Sequence, residues 1–213
     1  MAKAAPEILG GSERLYRVPN AHGFSLIELL VVMALVVIGY ALMFGAGSAS
    51  VQARNREQCA QQLKQLHSIL MLYAAEHDGA FPQSHGSTSE SALSQLVPVY
   101  TTDTSVFICP GSGQAALPGA QPFTDRRISY AYCEGLTRDS APDTLLVADS
   151  LLNPRTTLKG DALFSSNGSA PANNHRSMGG NLLFVDGHVE SMPPFASHSL
   201  VFPSGATLLN PKH

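Results

Sequence analysis

From Leu29 to Ala53 the chain runs 25 residues without a charged side chain. Wound as a helix, that stretch is about 37 Å long, more than the roughly 30 Å of a bilayer's hydrocarbon core. A secretory signal has a shorter apolar region, about 7–15 residues, ending in a small-residue cleavage site. The run therefore predicts a membrane span. Lys3, Arg14 and Arg17 precede it and Arg54, Arg56 and Lys64 follow it, so the flanking charges do not orient it. Only 14% of residues are charged, where soluble proteins have about a quarter. The net charge is −3, with no basic cluster, which argues against a nucleic-acid partner.

Glu28 lies at the head of this apolar stretch, which opens at Phe24. A carboxylate inside a transmembrane helix costs about 2.5–3.5 kcal/mol on insertion scales. It is either solvated at headgroup level or paired. The string Gly23-Phe24-Ser25-Leu26-Ile27-Glu28-Leu29-Leu30 resembles the cleavage and methylation motif of type IV prepilins and type II secretion pseudopilins. The resemblance implies that a prepilin peptidase cuts after Gly23 and that Phe24, the new N-terminus, is N-methylated. Glu28 would then pair with the Phe24 amine of a neighbouring subunit during assembly. It implies a cytoplasmic N-terminus, a single pass through the inner membrane and an exported C-terminal domain. The implied partners are copies of the chain and related pilins, the peptidase/methylase, an inner-membrane assembly platform and membrane lipid. The new amine can neutralise a neighbour's carboxylate and offset part of the desolvation of both.

Beyond the span, Cys59, Leu63, Leu66, Leu70 and Tyr73 recur at steps of three and four, an amphipathic helical stripe. Asp78-Gly79 and then Pro82 form a stop signal. One long helix from about Phe24 to about His77 is expected, loosened or bent near the glycines of 45–50. Tyr73 to Pro82 also looks like the end of a pseudopilin helix. Farther on, Ser91–Val97 reads as a short helix. Ser105–Cys109, Ile128–Cys133 and Thr144–Ala148 read as strands. Asn181–Val185 and His188–Met192 flank Asp186-Gly187, a hairpin signal. Residues 111–126 and 150–174 read as loops. The fold class is α+β: a long N-terminal helix packed on a small antiparallel sheet, as in pilins. The expected divisions are a leader over 1–23, a transmembrane half-helix over 24–53, an exported half-helix over 54–78 and an α+β domain over 79–213.

The segment from Asn174 to His188 is similar to the prepilin-associated H-X9-DG domain, as are Phe107-Ile108-Cys109-Pro110, Ser129-Tyr130-Ala131-Tyr132 and the region of Asp149. Ten residues, one more than in that pattern, separate His175 from Asp186. Asp149, His175, Asp186 and His188 are the candidate metal ligands. Calcium prefers six to eight oxygens, and two histidines fit it poorly. A turn made by Asp186-Gly187 and a His175 bonded to a loop carbonyl need no ion, so no cofactor is expected. Cys109 and Cys133 would both be exported, where disulfides persist. Their link would contribute roughly 3 kcal/mol through loop entropy; two free thiols are the competing reading. Cys59 reads as a small apolar residue of the stripe.

The expected function is structural: a filament subunit of a pseudopilus or pilus, not an enzyme. An anchored metal hydrolase lacks HExxH and GxSxG signatures, and Gly111-Ser112-Gly113 sits in the wrong context for dinucleotide binding. An anchored binding module that uses a prepilin-type signal without polymerising is the other alternative.

Overall fold

The computed structural model describes residues 25–44, 47–84, 86–123, 125–153, 159–200 and 202–212. The chain divides into two units, residues 1–45 and 46–213.

Among the described residues, the first unit contains one helix, α1 (Leu26–Phe44). Apart from Glu28 in the first turn, its residues carry no charge, and all but Tyr40 are apolar or small. Over Leu26–Met43 it is long and apolar enough to cross a membrane, and none of that window is buried within the chain. A helix that is apolar on every side has no face for water and needs an apolar surround. The expected single helix is described as two, α1 and α2; residues 45 and 46, where loosening was expected, lie outside the described residues.

The second unit begins with α2 (Gly47–Glu76). Cys59, Leu63, Leu66, Leu70 and Ala74 are fully buried along one face, with Tyr73 packed at the margin. The stripe falls where the periodicity placed it, except that Ala74 takes the deepest position at the last turn. The helix ends as expected at Asp78-Gly79. Gly79 has φ +83°, and its N–H donates to the Ala74 carbonyl at 2.8 Å, closing the last turn with a left-handed residue.

α3 (Ser89–Leu93) and a 3-10 turn over Ser94–Leu96 occupy the segment read as one short helix. Ser105–Cys109, expected as a strand, instead opens with a 3-10 turn over Thr104–Phe107. Asp103 Oδ1 accepts from the backbone N–H of Ser105 at 2.9 Å and from its hydroxyl at 2.6 Å. That local bonding outcompetes the strand preference of Val106 and Phe107.

Five antiparallel strands follow: β1 (Tyr130–Glu134), β2 (Leu145–Asp149), β3 (Gly180–Phe184), β4 (Val189–Met192) and β5 (Thr207–Leu209). They lie in the order β4-β3-β2-β1-β5. β3 and β4 form the hairpin about Asp186-Gly187, pairing Gly180 with Met192 and Leu183 with Val189. β5 was not anticipated. The architecture is α+β, with α2 laid across one face of the sheet against β3 and β4. Side chains alternate between faces along a strand. Tyr130 and Tyr132 therefore point with Asp149, the residue directly opposite Tyr130, toward α2. Gly180 points the other way, where the Phe164 ring leaves no room for a Cβ.

Candidate functional site

Four buried side chains from four separate segments converge beneath α2. Cys59 comes from the helix stripe, Cys109 follows the Thr104–Phe107 turn, Asp149 ends β2, and His175 lies in the loop before β3. Their ligand-type atoms all lie within 4.8 Å of one another. His175 Nε2 is 3.2 Å from Asp149 Oδ2 and 3.4 Å from Cys109 Sγ. Cys59 Sγ is 3.4 Å from Asp149 Oδ1.

The surrounding backbone fixes each member. Asn174 Nδ2 donates to Asp149 Oδ1 at 2.7 Å and to the Ser129 carbonyl at 2.8 Å. The backbone N–H of Asn181 donates to Asp149 Oδ2 at 2.8 Å. Cys109 is seated by its N–H donating to Ser129 Oγ at 2.8 Å, and its sulfur accepts from the Gly111 N–H at 3.3 Å. The Tyr130 hydroxyl lies 3.4 Å from Cys59 Sγ. His175 Nδ1 has no hydrogen-bond partner among the described residues. That side of the ring packs against Gly111, where a Cβ would lie 2.7 Å from Nδ1.

The electrostatics follow from burial and pairing. Burial pushes the Asp149 carboxyl up, but the His175 bond and charge, with Asn174 and Asn181, outweigh it and hold the group below its ordinary value. Burial pushes His175 down, and the Asp149 hydrogen bond, aided by Cys59, reverses this and raises it to about 10. Burial is the largest effect on the thiols of Cys59 and Cys109 and raises both above the ordinary cysteine value, although the neighbouring His175 works against it at Cys59.

Asp149 and His175 thus sit together, but Asp186 and His188 are not part of this cluster. They form their own pair on the β3–β4 turn, half-exposed, with His188 Nδ1 2.5 Å from Asp186 Oδ1. The His188 backbone N–H donates to the same oxygen at 3.0 Å, and its ring stacks on Phe184 at 4.3 Å. That backbone N–H, aided by the His188 imidazole, holds the Asp186 carboxyl below its ordinary value against the contrary effect of burial. The four residues grouped from the sequence are therefore two separate pairs. His175 bonds Asp149 rather than the expected loop carbonyl. All three cysteines are free thiols. Cys109 has Cys59, not Cys133, as its neighbour. Cys133 is an odd number of residues from Tyr130 on β1, so its side chain faces away from α2 and from Cys109, and the two sulfurs cannot bond without moving the strand. Sequence reasoning did not connect Cys59 with this cluster, because a cysteine on a buried stripe needs no explanation beyond packing.

At the N-terminal end, Gly23 and Phe24 lie outside the described residues. Glu28 occupies the first turn of α1 with its side chain exposed. A carboxylate there is favoured by the helix dipole, by about 0.3–1 kcal/mol.

A family model described as the prokaryotic N-terminal methylation motif matches residues 19–44. That match contains the Gly23-Phe24 junction, Glu28 and the whole of α1, and supports a type IV prepilin-like N-terminus on a single-pass membrane anchor. It does not extend to the segment from Asn174 to His188. No curated protein and no solved structure matches the chain.

Proposed function

We propose that this chain is a structural subunit of a type IV pilin-like filament, made as a prepilin, cut after Gly23, methylated at Phe24 and assembled through α1. The match to the methylation motif carries this reading, together with the single carboxylate at the head of an otherwise uncharged helix. The filament would be a type II secretion pseudopilus or a type IV pilus. Its partners are a prepilin peptidase/methylase, an inner-membrane assembly platform, membrane lipid, and other copies or related pilins. The C-terminal unit is exported, and the role is structural rather than catalytic. The buried cluster beneath α2 favours this, because its four ligand-type residues are sealed from any substrate.

Glu28→Leu tests the assembly role apart from export. Removing a carboxylate from the apolar segment leaves membrane insertion unharmed or eased. The peptidase acts at the glycine junction, so processing persists. In the assembled helix bundle, however, the Phe24 amine loses its anionic partner. Leaving one charge of a buried pair uncompensated costs about 3–5 kcal/mol, repeated at every subunit. The expected result is processed, membrane-resident protein with few or no filaments by electron microscopy of sheared fractions. Wild-type filament yield from Glu28→Leu cells would refute the assembly role. Filaments absent from wild-type cells too would favour an anchored module that does not polymerise.

A further inference from the structure

We propose that Cys59, Cys109, Asp149 and His175 form a closed, tetrahedral structural site for Zn2+ that clips α2 to the sheet. The inference rests on the second unit alone and is independent of filament assembly. Zinc bonds thiolate sulfur at about 2.3 Å and imidazole or carboxylate at about 2.0–2.2 Å, so the edges of its tetrahedron measure about 3.3–3.8 Å. The separations here, 3.2 Å from His175 Nε2 to Asp149 Oδ2, 3.4 Å from Cys109 Sγ to His175 Nε2 and 3.6 Å from Cys59 Sγ to the same Asp149 Oδ2, are close to that size. All four ligand-type atoms lie within 4.8 Å of one another, so modest side-chain shifts would bring them onto the edges of such a tetrahedron.

The donor set selects the metal. Two sulfurs and an imidazole are soft or borderline ligands, which suit zinc and disfavour calcium and magnesium. Groups that would support two of the bound ligands, Asp149 and Cys109, are already in place. Asn174 Nδ2 and the Asn181 N–H fix the carboxylate, and the Gly111 N–H donates to the Cys109 sulfur. All four ligands are buried and come from the protein, so no position is open to water or substrate. That makes the site structural, not catalytic. Binding displaces both thiol protons and the proton held between His175 and Asp149, so uptake of Zn2+ releases protons and strengthens as pH rises.

The test uses full-length protein in detergent, equilibrated with Zn2+ and dialysed. It should retain one zinc per chain by elemental analysis. Loaded with Co2+ instead, it should show thiolate-to-cobalt charge-transfer absorption and the intense visible bands of tetrahedral cobalt. Cys59→Ser and Cys109→Ser should each lose bound zinc, whereas Cys133→Ser should keep it. Asn174→Ala, which frees Asp149 Oδ1, should weaken zinc binding by about 10–100-fold. Wild-type protein that retains no zinc would overturn the proposal. So would zinc retained by the Cys59→Ser/Cys109→Ser double variant, or a Cys59–Cys109 disulfide in protein isolated without reductant. If the serine variants fail to fold, as judged by near-ultraviolet circular dichroism, the wild-type cobalt spectrum decides alone. Absence of the charge-transfer band then refutes the site.

Discussion

Gly111→Ala probes how tightly the loop carrying Cys109 is pressed against the loop carrying His175. A Cβ at residue 111 would lie 2.3 Å from the Asn174 carbonyl oxygen, 2.7 Å from His175 Nδ1 and 3.2 Å from its Cε1. Ordinary contact begins near 3.4 Å, so the Asn174 backbone has to retreat by about 1 Å in a close-packed interior. Overpacking of this kind costs about 1–3 kcal/mol. The retreat also strains the Asn174 bond to a buried carboxylate, and a hydrogen bond to a charged group contributes about 1.5–3 kcal/mol. Against this, replacing glycine restricts the unfolded chain and stabilises by about 0.4–1 kcal/mol. The net loss is about 2–4 kcal/mol, which for a unit of this size lowers Tm by roughly 5–15 °C. With no tryptophan and six tyrosines in the chain, two of them the buried Tyr130 and Tyr132, the near-ultraviolet tyrosine signal reports unfolding. Gly119→Ala is the control: its Cβ would meet nothing within 4 Å, so it should be neutral or slightly stabilising. A Gly111→Ala protein melting within a degree of wild type would refute the close approach.

The mature protein should begin at Phe24 carrying a methyl group, which intact-mass measurement of protein from its native membrane reads directly; a chain starting at Met1 would contradict it. Asp186→Asn should cost less than about 1 kcal/mol at pH 7, because the pair with His188 is half-exposed and screened. The folded-state pKa of Asp186 is lowered, so its contribution is present above about pH 4 and fades as pH falls through that lowered value. Urea midpoints measured between pH 2 and 7 should therefore converge for variant and wild type at the acid end. A constant gap across that range would mean that Asp186 acts through packing, not charge.

What could be read from the sequence is what local chemistry determines. The stop at Asp78-Gly79 needs only a left-handed glycine and the preceding helical period. The hairpin at Asp186-Gly187 needs a turn pair between apolar runs. β1 and β2 began within two residues of expectation because residues 128–133 and 144–148 are runs free of charge, glycine and proline between turn-rich flanks. β5 was missed because three residues between Gly205 and Pro211 carry too little pattern to count as a strand. Val106 and Phe107 misled because Asp103 captures Ser105 before the chain can extend. The cluster beneath α2 was half-visible. Asp149 and His175 were singled out by residue type and resemblance, but Cys59 lies 50 residues from Cys109, and only the seating of α2 on the sheet makes them neighbours. The same reasoning grouped Asp186 and His188 with Asp149, since sequence does not reveal that the turn carries them away from the end of β2.

The strand order β4-β3-β2-β1-β5 leaves two rims, and each bears on whether copies of this chain could pair sheet to sheet. An unpaired rim of N–H and C=O groups is a template on which another chain can add a strand. Here one rim is only three residues long and is followed by Asn210-Pro211, where proline has no N–H to offer. The other is four residues long and includes the half-exposed Glu190 and the exposed Ser191. Apposing two β4 rims would set Glu190 against its copy, and either rim is too short to yield more than a few hydrogen bonds. Pairing sheet to sheet therefore offers copies of this chain little, and under the proposed assembly the contact would fall to the apolar surface of α1, the segment a membrane would receive.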